Sequence, residues 1–216
     1  MQLLTLPGVF APISDSWLLA DAVADEPIGP GSTVLELCTG SGVVALAAAR
    51  TGAHVTATDV SRRAVLTAWC NARRHGQRIR VRRGRSFEPV RGERFDLIVA
   101  NPPYVPSPER TLPSSGRSRA WAAGQDGRVV LDRLCDEAPA HLRPGGAVLL
   151  VHSDLIGEDA TVERLRRAGL THVEVVRRER GPLGPLMRAQ QAIGTIPPGI
   201  DHEDVVVIRA AAPRTA

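Results

Sequence analysis

The stretch from Ser32 to Asp59 constrains the fold more than any other part of the chain. Ser32-Thr33-Val34-Leu35-Glu36-Leu37 reads as a strand, Cys38-Thr39-Gly40-Ser41-Gly42 as a glycine turn, and Val43 to Arg50 as an apolar helix. A second apolar run, His54-Val55-Thr56-Ala57-Thr58, ends in Asp59, which stands about twenty residues beyond the turn, as a ribose-binding acid should. This is the first unit of a doubly wound α/β sheet, in which ligands bind outside the carboxyl ends of the strands. No third glycine follows at the dinucleotide spacing, and the Gly-Lys-Ser/Thr ending of a phosphate-binding loop is absent, which argues against ATP or GTP. An adenosine-containing cofactor without phosphates fits both Glu36 and Asp59.

A second motif supplies the chemistry. Asn101-Pro102-Pro103-Tyr104 directly follows the apolar run Phe95-Asp96-Leu97-Ile98-Val99-Ala100, so it emerges at the carboxyl end of a buried strand. Successive prolines fix the backbone and remove two N–H donors, leaving the Asn101 and Pro102 carbonyls free to face a cleft. Asn101 adds an acceptor oxygen and Tyr104 a flat ring. Together these groups can grip a planar –NH₂ group through its hydrogens while stacking on its face. A rigid strand-closing turn is the plainer reading of Pro-Pro alone.

Periodicity places a first helix near Ser14–Ala24 and strands near 32–37, 54–58, 79–83, 95–100 and 146–151. Helices are expected near 43–50, 61–75, 126–140 and 158–168. Val173–Arg177 and Val205–Arg209 read as a closing antiparallel pair. The expected fold is therefore α/β: a doubly wound, mostly parallel seven-stranded sheet closed by an antiparallel hairpin, in one domain over residues 1–216 with an entry segment over 1–24. Pro144-Gly145-Gly146 reads as a turn before the fifth strand. Gly181 to Gly199 is rich in Gly and Pro and long for a connection in a compact domain, which predicts a mobile loop on the cleft wall. Ser107 to Ser118 is similarly loop-like and expected over the substrate.

Glycine turn, acidic residue and Asn-Pro-Pro-Tyr, in that order, resemble a class I methyltransferase of the HemK type, which uses S-adenosylmethionine. Two further stretches resemble its short branch, which methylates the glutamine of a release factor Gly-Gly-Gln loop. One is Val9-Phe10-Ala11-Pro12-Ile13-Ser14-Asp15-Ser16-Trp17-Leu18-Leu19; the other runs from Ala120-Trp121 through Gly124-Gln125-Asp126-Gly127 to Arg133. The resemblance covers about residues 9 to 180. It implies S-adenosylmethionine held by Glu36, Gly40 and Gly42 at its methionine end, by Asp59 at the ribose and by Ser16 from the entry segment. Asn101, Pro102 and Tyr104 are the implied catalytic residues, with Asn101 also beside the cofactor. Relatives usually carry an acid after the third strand to receive the adenine amino group. Here Gly84-Arg85-Ser86-Phe87 stands there, and arginine has no acceptor, so adenine contact falls to the Ser86 backbone or to apolar packing. The implied partners are a release factor as protein substrate and a small zinc-binding activator subunit. The tetrapeptide is shared with adenine-methylating enzymes, so nucleic acid (adenine N6) and a small amine or amide metabolite stay open as substrates. A scaffold that binds cofactor without catalysis is disfavoured by the intact tetrapeptide.

Charge and cysteine content bound the alternatives. All 27 basic residues are arginine, and the net charge of +4 is too small to establish a polyanionic partner. The sharpest run, Arg78-Ile79-Arg80-Val81-Arg82-Arg83-Gly84-Arg85, reads as an edge strand whose charge blocks aggregation. It outweighs a nucleic-acid surface because no aromatic residue interleaves with the arginines. Three cysteines without a Cys-x-x-Cys pair and six histidines without ligand spacing predict no metal site, and a reduced, cytoplasmic protein. Met1 to Phe10 carries no basic segment of a secretory signal, and no membrane association is expected. His152 reads as an ordinary strand-end histidine.

Overall fold

The computed structural model describes residues 2–114 and 116–214. Seven strands join one sheet in the order β3-β2-β1-β4-β5-β7-β6: β1 Thr33–Leu37, β2 His54–Asp59, β3 Ile79–Arg83, β4 Phe95–Ala100, β5 Leu142–Ser153, β6 Thr171–Pro182 and β7 His202–Ala211. The first five run parallel, and β7 then lies antiparallel to both β5 and β6. The helices are α1 Ser14–Ala24, α2 Val43–Arg50, α3 Arg62–Arg74, α4 Val129–His141, α5 Glu158–Arg167 and α6 Pro185–Ala192.

Parallel strands are covered on both faces, so alternate side chains of one strand enter two separate cores. Leu35, Ile98, Leu150 and Ile208 pack with Leu131, Leu134 and Leu165 of α4 and α5. Val34, Val99, Leu149 and Val207 pack with Leu19 and Val23 of α1 and the small residues Ala45, Ala48 and Ala49 of α2. Val34, Leu35, Leu149 and Leu150 are all fully buried, which is why β1 and β5 read as continuous apolar runs rather than as alternating ones.

Two sequence expectations need correction. β5 begins at Leu142, with Pro144-Gly145-Gly146 inside it: Phe95 pairs with Leu142 and Leu97 with Ala147, so the turn residues form a bulge within the strand. A Cβ on Gly146 would stand 3.0 Å from the Phe95 and Asp96 carbonyl oxygens, and the neighbouring strand can pass only beside glycine. Residues 181–199 are not an irregular loop, because α6 occupies their middle. Pro185 supplies the fixed φ of a first helical turn, and Leu183, Met187 and Ile196 bury themselves in the α4/α5 core. Gly and Pro in this segment mark the helix ends.

Candidate active site

The order of strands reverses between β1 and β4, whose last residues, Leu37 and Ala100, lie side by side in register. The glycine turn and the Asn-Pro-Pro-Tyr segment therefore leave the sheet as neighbours at the topological switch point, where open α/β sheets bind ligands. A cleft of about 1260 Å³ opens there. Its wall includes Ser16, Glu36, Gly40, Asp59, Ser86, Asn101, Pro102 and Tyr104. Of the residues the sequence singled out, Gly42 alone is not on this wall. Its left-handed backbone (φ 82°) and the approach of Ala68 in α3, 3.0 Å from where a Cβ would stand, account for glycine at that position.

The glycine turn is held by carboxylates. Cys38 and Gly40 both have positive φ, 58° and 52°; glycine takes this conformation freely, whereas at Cys38 it is strained and persists only where surroundings enforce it. Asp59 supplies part of that constraint: Oδ2 accepts from the Gly40 amide at 3.0 Å and Oδ1 from the Ser61 amide at 2.8 Å. Burial raises the Asp59 pKa, opposed by these amides and by the Arg119 charge. Glu36 accepts from the Thr39 hydroxyl and, at 3.1 Å, from the Ala45 amide in the first turn of α2. Burial nevertheless lifts its pKa to about 8, against the lowering effect of both hydrogen bonds. A carboxyl group so placed is ready to ionise once a cation arrives beside it.

The entry segment crosses above this turn. Phe10 lies over Gly40, its carbonyl oxygen 3.9 Å from a hypothetical Cβ, and Arg63 donates to the Pro7 carbonyl at 2.9 Å. Sequence reasoning missed the residue that clamps the two together. Asn71, fully buried on α3, exchanges hydrogen bonds with the Leu4 backbone (2.8 and 2.9 Å) and donates to the Ser41 carbonyl at 2.8 Å. Its signal was a polar residue in register with Ala64, Thr67 and Ala68 on the buried face of α3.

On the opposite wall, Asn101 donates through Nδ2 to the Ser16 hydroxyl at 3.2 Å. Ser16 thus orients the amide and leaves Asn101 Oδ1 as an acceptor. Tyr104 donates its phenolic hydrogen to Asp15, a buried carboxylate at the start of α1, and burial together with the Asp15 and Glu203 charges pushes the phenol well above its ordinary pKa. Asp15 and Glu203 also line the cleft, and neither was singled out from the sequence for a role.

The stretch after Ala120 buttresses this wall. Val105 donates to the Trp121 carbonyl at 2.9 Å, Ala123 to the Val105 carbonyl at 3.0 Å, and Ser107 to the Gly124 carbonyl at 2.8 Å. At Gly127 (φ 73°) any Cβ would overlap the Tyr104 carbonyl oxygen, so the glycine lets the Asn-Pro-Pro-Tyr loop close. From the segment expected over the substrate, Gly116 reaches the wall, and Arg119, Ala120 and Trp121 follow it. Arg85 is exposed and off the wall, whereas Ser86 (φ 48°) is on it and donates its hydroxyl to Glu137 at 3.0 Å. Residues 181–188 line the far rim, as expected of that segment. His152 is buried behind the cleft, where desolvation lowers its pKa to about 4, and it does not line the cleft wall.

The sequence model of the methyltransferase small domain matches residues 1–112, just over half the chain. The chain belongs to that methyltransferase family. Its relatives place it with the HemK-type glutamine methyltransferases. A Methanocaldococcus jannaschii protein, provisionally named a protein N5-glutamine methyltransferase, is 36% identical over 84% of this chain and 90% of its own length. The release factor glutamine methyltransferase of Gloeobacter violaceus is 35% identical over 76% of this chain, which spans 60% of that longer protein. Among solved structures, the Thermus thermophilus 16S rRNA N2 G1207 methyltransferase, in complex with AdoMet and guanosine, superposes with a TM-score of 0.67 at 21% identity, over 96% of this chain and 46% of that one. That likeness establishes the class I methyltransferase fold. No helix among the described residues is long and apolar enough to cross a membrane, and no cluster of three His, Cys, Asp or Glu is placed to hold a metal ion.

Proposed function

We propose that this methyltransferase transfers a methyl group from S-adenosylmethionine to the side-chain amide of a glutamine in a protein, with a release factor Gly-Gly-Gln loop as the leading acceptor. The observation that carries the reading is the Ser16–Asn101 hydrogen bond, which turns the Asn101 amide so that its oxygen is free to accept, next to a proline that has no N–H to compete. A primary amide has two hydrogens to offer, and Asn101 Oδ1 with the Pro102 carbonyl receives them. Held this way, the acceptor nitrogen turns its lone pair out of conjugation and into line for transfer, so positioning supplies most of the catalysis. Positive charge developing on the nitrogen meets fixed carbonyl dipoles rather than mobile water. The Tyr104 ring, anchored through Asp15, packs against the amide plane.

The cleft also fits the cofactor. Buried Glu36, poised near neutral pH, suits the ammonium of a methionine moiety, and Asp59 retains lone pairs for ribose hydroxyls beyond the two amides it already accepts. Gly40 completes the methionine end, and Ser86 borders the adenine, taking over from the exposed Arg85. When bound, S-adenosylmethionine supplies the electrophilic sulfonium methyl. The names of the archaeal and Gloeobacter relatives support a glutamine acceptor.

The deciding experiment incubates the protein with methyl-labelled S-adenosylmethionine against release factor, DNA, RNA and a metabolite extract, with and without a small zinc-binding activator. Label is expected on the Gly-Gly-Gln glutamine, absent after Gln→Asn replacement in the substrate. Label on a nucleobase instead would move the assignment to the nucleic-acid reading.

A further inference from the structure

At the opposite end of the sheet from the cleft, the amino ends of β1 to β4 border an open groove of about 860 Å³. Arg73, Arg78, Arg80, Arg94 and Arg143 line it among fifteen wall residues. Arginine averages 27 in 216 residues over the chain, so the general richness in arginine does not explain a third of one groove. Among the described residues, two of the five are neutralised by carboxylates: Arg80 by Glu93 at 2.6 Å and Arg143 by Asp96 at 3.3 Å. Arg94 donates to the Leu142 carbonyl at 3.1 Å, and Arg78 has no partner among the described residues.

The lack of aromatic residues within this arginine run counted against single-strand binding, and the fold supplies one from elsewhere. Trp69 of α3 lines the same groove with 47% of its surface exposed, and the Arg73 guanidinium sits 5.4 Å from its ring centroid. A half-exposed indole leaves part of its ring available to a stacking partner. Capped by a guanidinium and flanked by unneutralised arginines, it is a platform on which a base can stack while its phosphates meet the cations.

We propose that this groove binds single-stranded nucleic acid, independently of the methyl-transfer cleft and of the acceptor it serves. A polyanionic protein segment satisfies the arginines but makes no use of the indole face, and duplex satisfies the arginines while keeping its bases out of reach.

Fluorescence anisotropy of the full chain with labelled twelve-nucleotide oligo-uridine and oligo-deoxythymidine tests this. Both are expected to bind at 50 mM salt, with affinity falling as salt rises at a log–log slope of about −2, from about 0.7 per phosphate and three arginines without a carboxylate partner. Trp69→Ala is expected to weaken binding about tenfold. Arg73→Ala with Arg78→Ala is expected to weaken it and flatten the slope. Circular dichroism melts check that both variants fold, and their exposure makes that the expected result. Any one of three outcomes overturns the proposal: no binding of either strand at 50 mM salt, binding unaffected by Trp69→Ala, or equal competition by duplex or poly-glutamate.

Discussion

The two walls of the cleft reach the same precision by different means. On the glycine-turn wall, Glu36 and Asp59 are gripped by backbone amides and a hydroxyl no more than nineteen residues away in sequence. On the acceptor wall, Asn101 and Tyr104 depend on side chains of α1, 85 and 89 residues away. The first wall is set mostly within residues 33–61, by β1, its turn, α2 and the end of β2, with Asn71 of α3 clamping the turn from 30 residues away. The second exists only once α1, the Asn-Pro-Pro-Tyr loop and the stretch after Ala120 have packed. Substitutions on the first wall should therefore act through cofactor affinity and local backbone, and those on the second through turnover.

The largest expected effect separates the walls most sharply. Asn101→Ala should lower kcat by ~100-fold or more, because it removes an interaction that counts most near the transition state. Affinity for S-adenosylhomocysteine, measured by calorimetry, should stay within a few fold. Equal loss of both would mean that the acceptor wall also builds the cofactor site.

Asp59→Ala should act the other way. Losing a charged acceptor for ribose costs roughly 1.5–3 kcal/mol, so S-adenosylhomocysteine should bind at least tenfold more weakly. Because Asp59 also ties Gly40 to Ser61, the melting temperature should fall as well. Unchanged affinity would mean that Asp59 serves only the turn.

The same contrast governs what the sequence could reveal. α1, α2, β3 and β4 were legible to the residue, because a local period of apolar positions sets them. The glycine turn and the Asn-Pro-Pro-Tyr segment were legible for a similar reason: each works through backbone conformation that Gly and Pro announce. Asp15, Asn71 and Glu203 were not. Their roles come from partners distant in sequence, and nothing local distinguishes Asp15 from a surface acid at a helix start. α6 was hidden by its own ends, since Gly184-Pro185 and Gly194 look like a loop when the intervening Met187 has no visible partner. Gly42 is the converse case, a glycine of the binding motif that lies off the cleft wall and has Ala68 3.0 Å from where a Cβ would stand.

Glu36 gives a smaller, pH-dependent effect. Burial raises its pKa from the ordinary 4.5 to about 8, so between these values the folded protein holds the extra proton. The stability of the cofactor-free protein should decline as pH rises from about 4.5 to about 8, and Glu36→Gln should flatten that decline. A cationic ligand beside Glu36 favours the ionised form, so cofactor binding below pH 8 should release a proton and tighten as pH rises. Calorimetry of S-adenosylhomocysteine in two buffers of different ionisation enthalpy measures that proton directly. No buffer dependence would show that the ammonium does not reach Glu36.

The smallest expected difference concerns the far rim. α6 is eight residues long and too short to be stable alone. It is pinned by Met187 and Gln190, with Leu183 and Ile196 on its flanks, whereas six of the eight residues of α2 are buried. Local opening follows the number of buried contacts, so we propose that residues 181–199 open before any element of the glycine-turn wall and close over bound substrate. Hydrogen exchange should show α6 amides exchanging faster than those of α2 in the free protein, and limited proteolysis should cut first between 193 and 200. Because α6 borders the acceptor side of the cleft, a glutamine peptide added with S-adenosylhomocysteine should slow its exchange more than S-adenosylhomocysteine alone. Equal protection by the cofactor product alone would tie α6 to the cofactor wall and erase the division between the two sides.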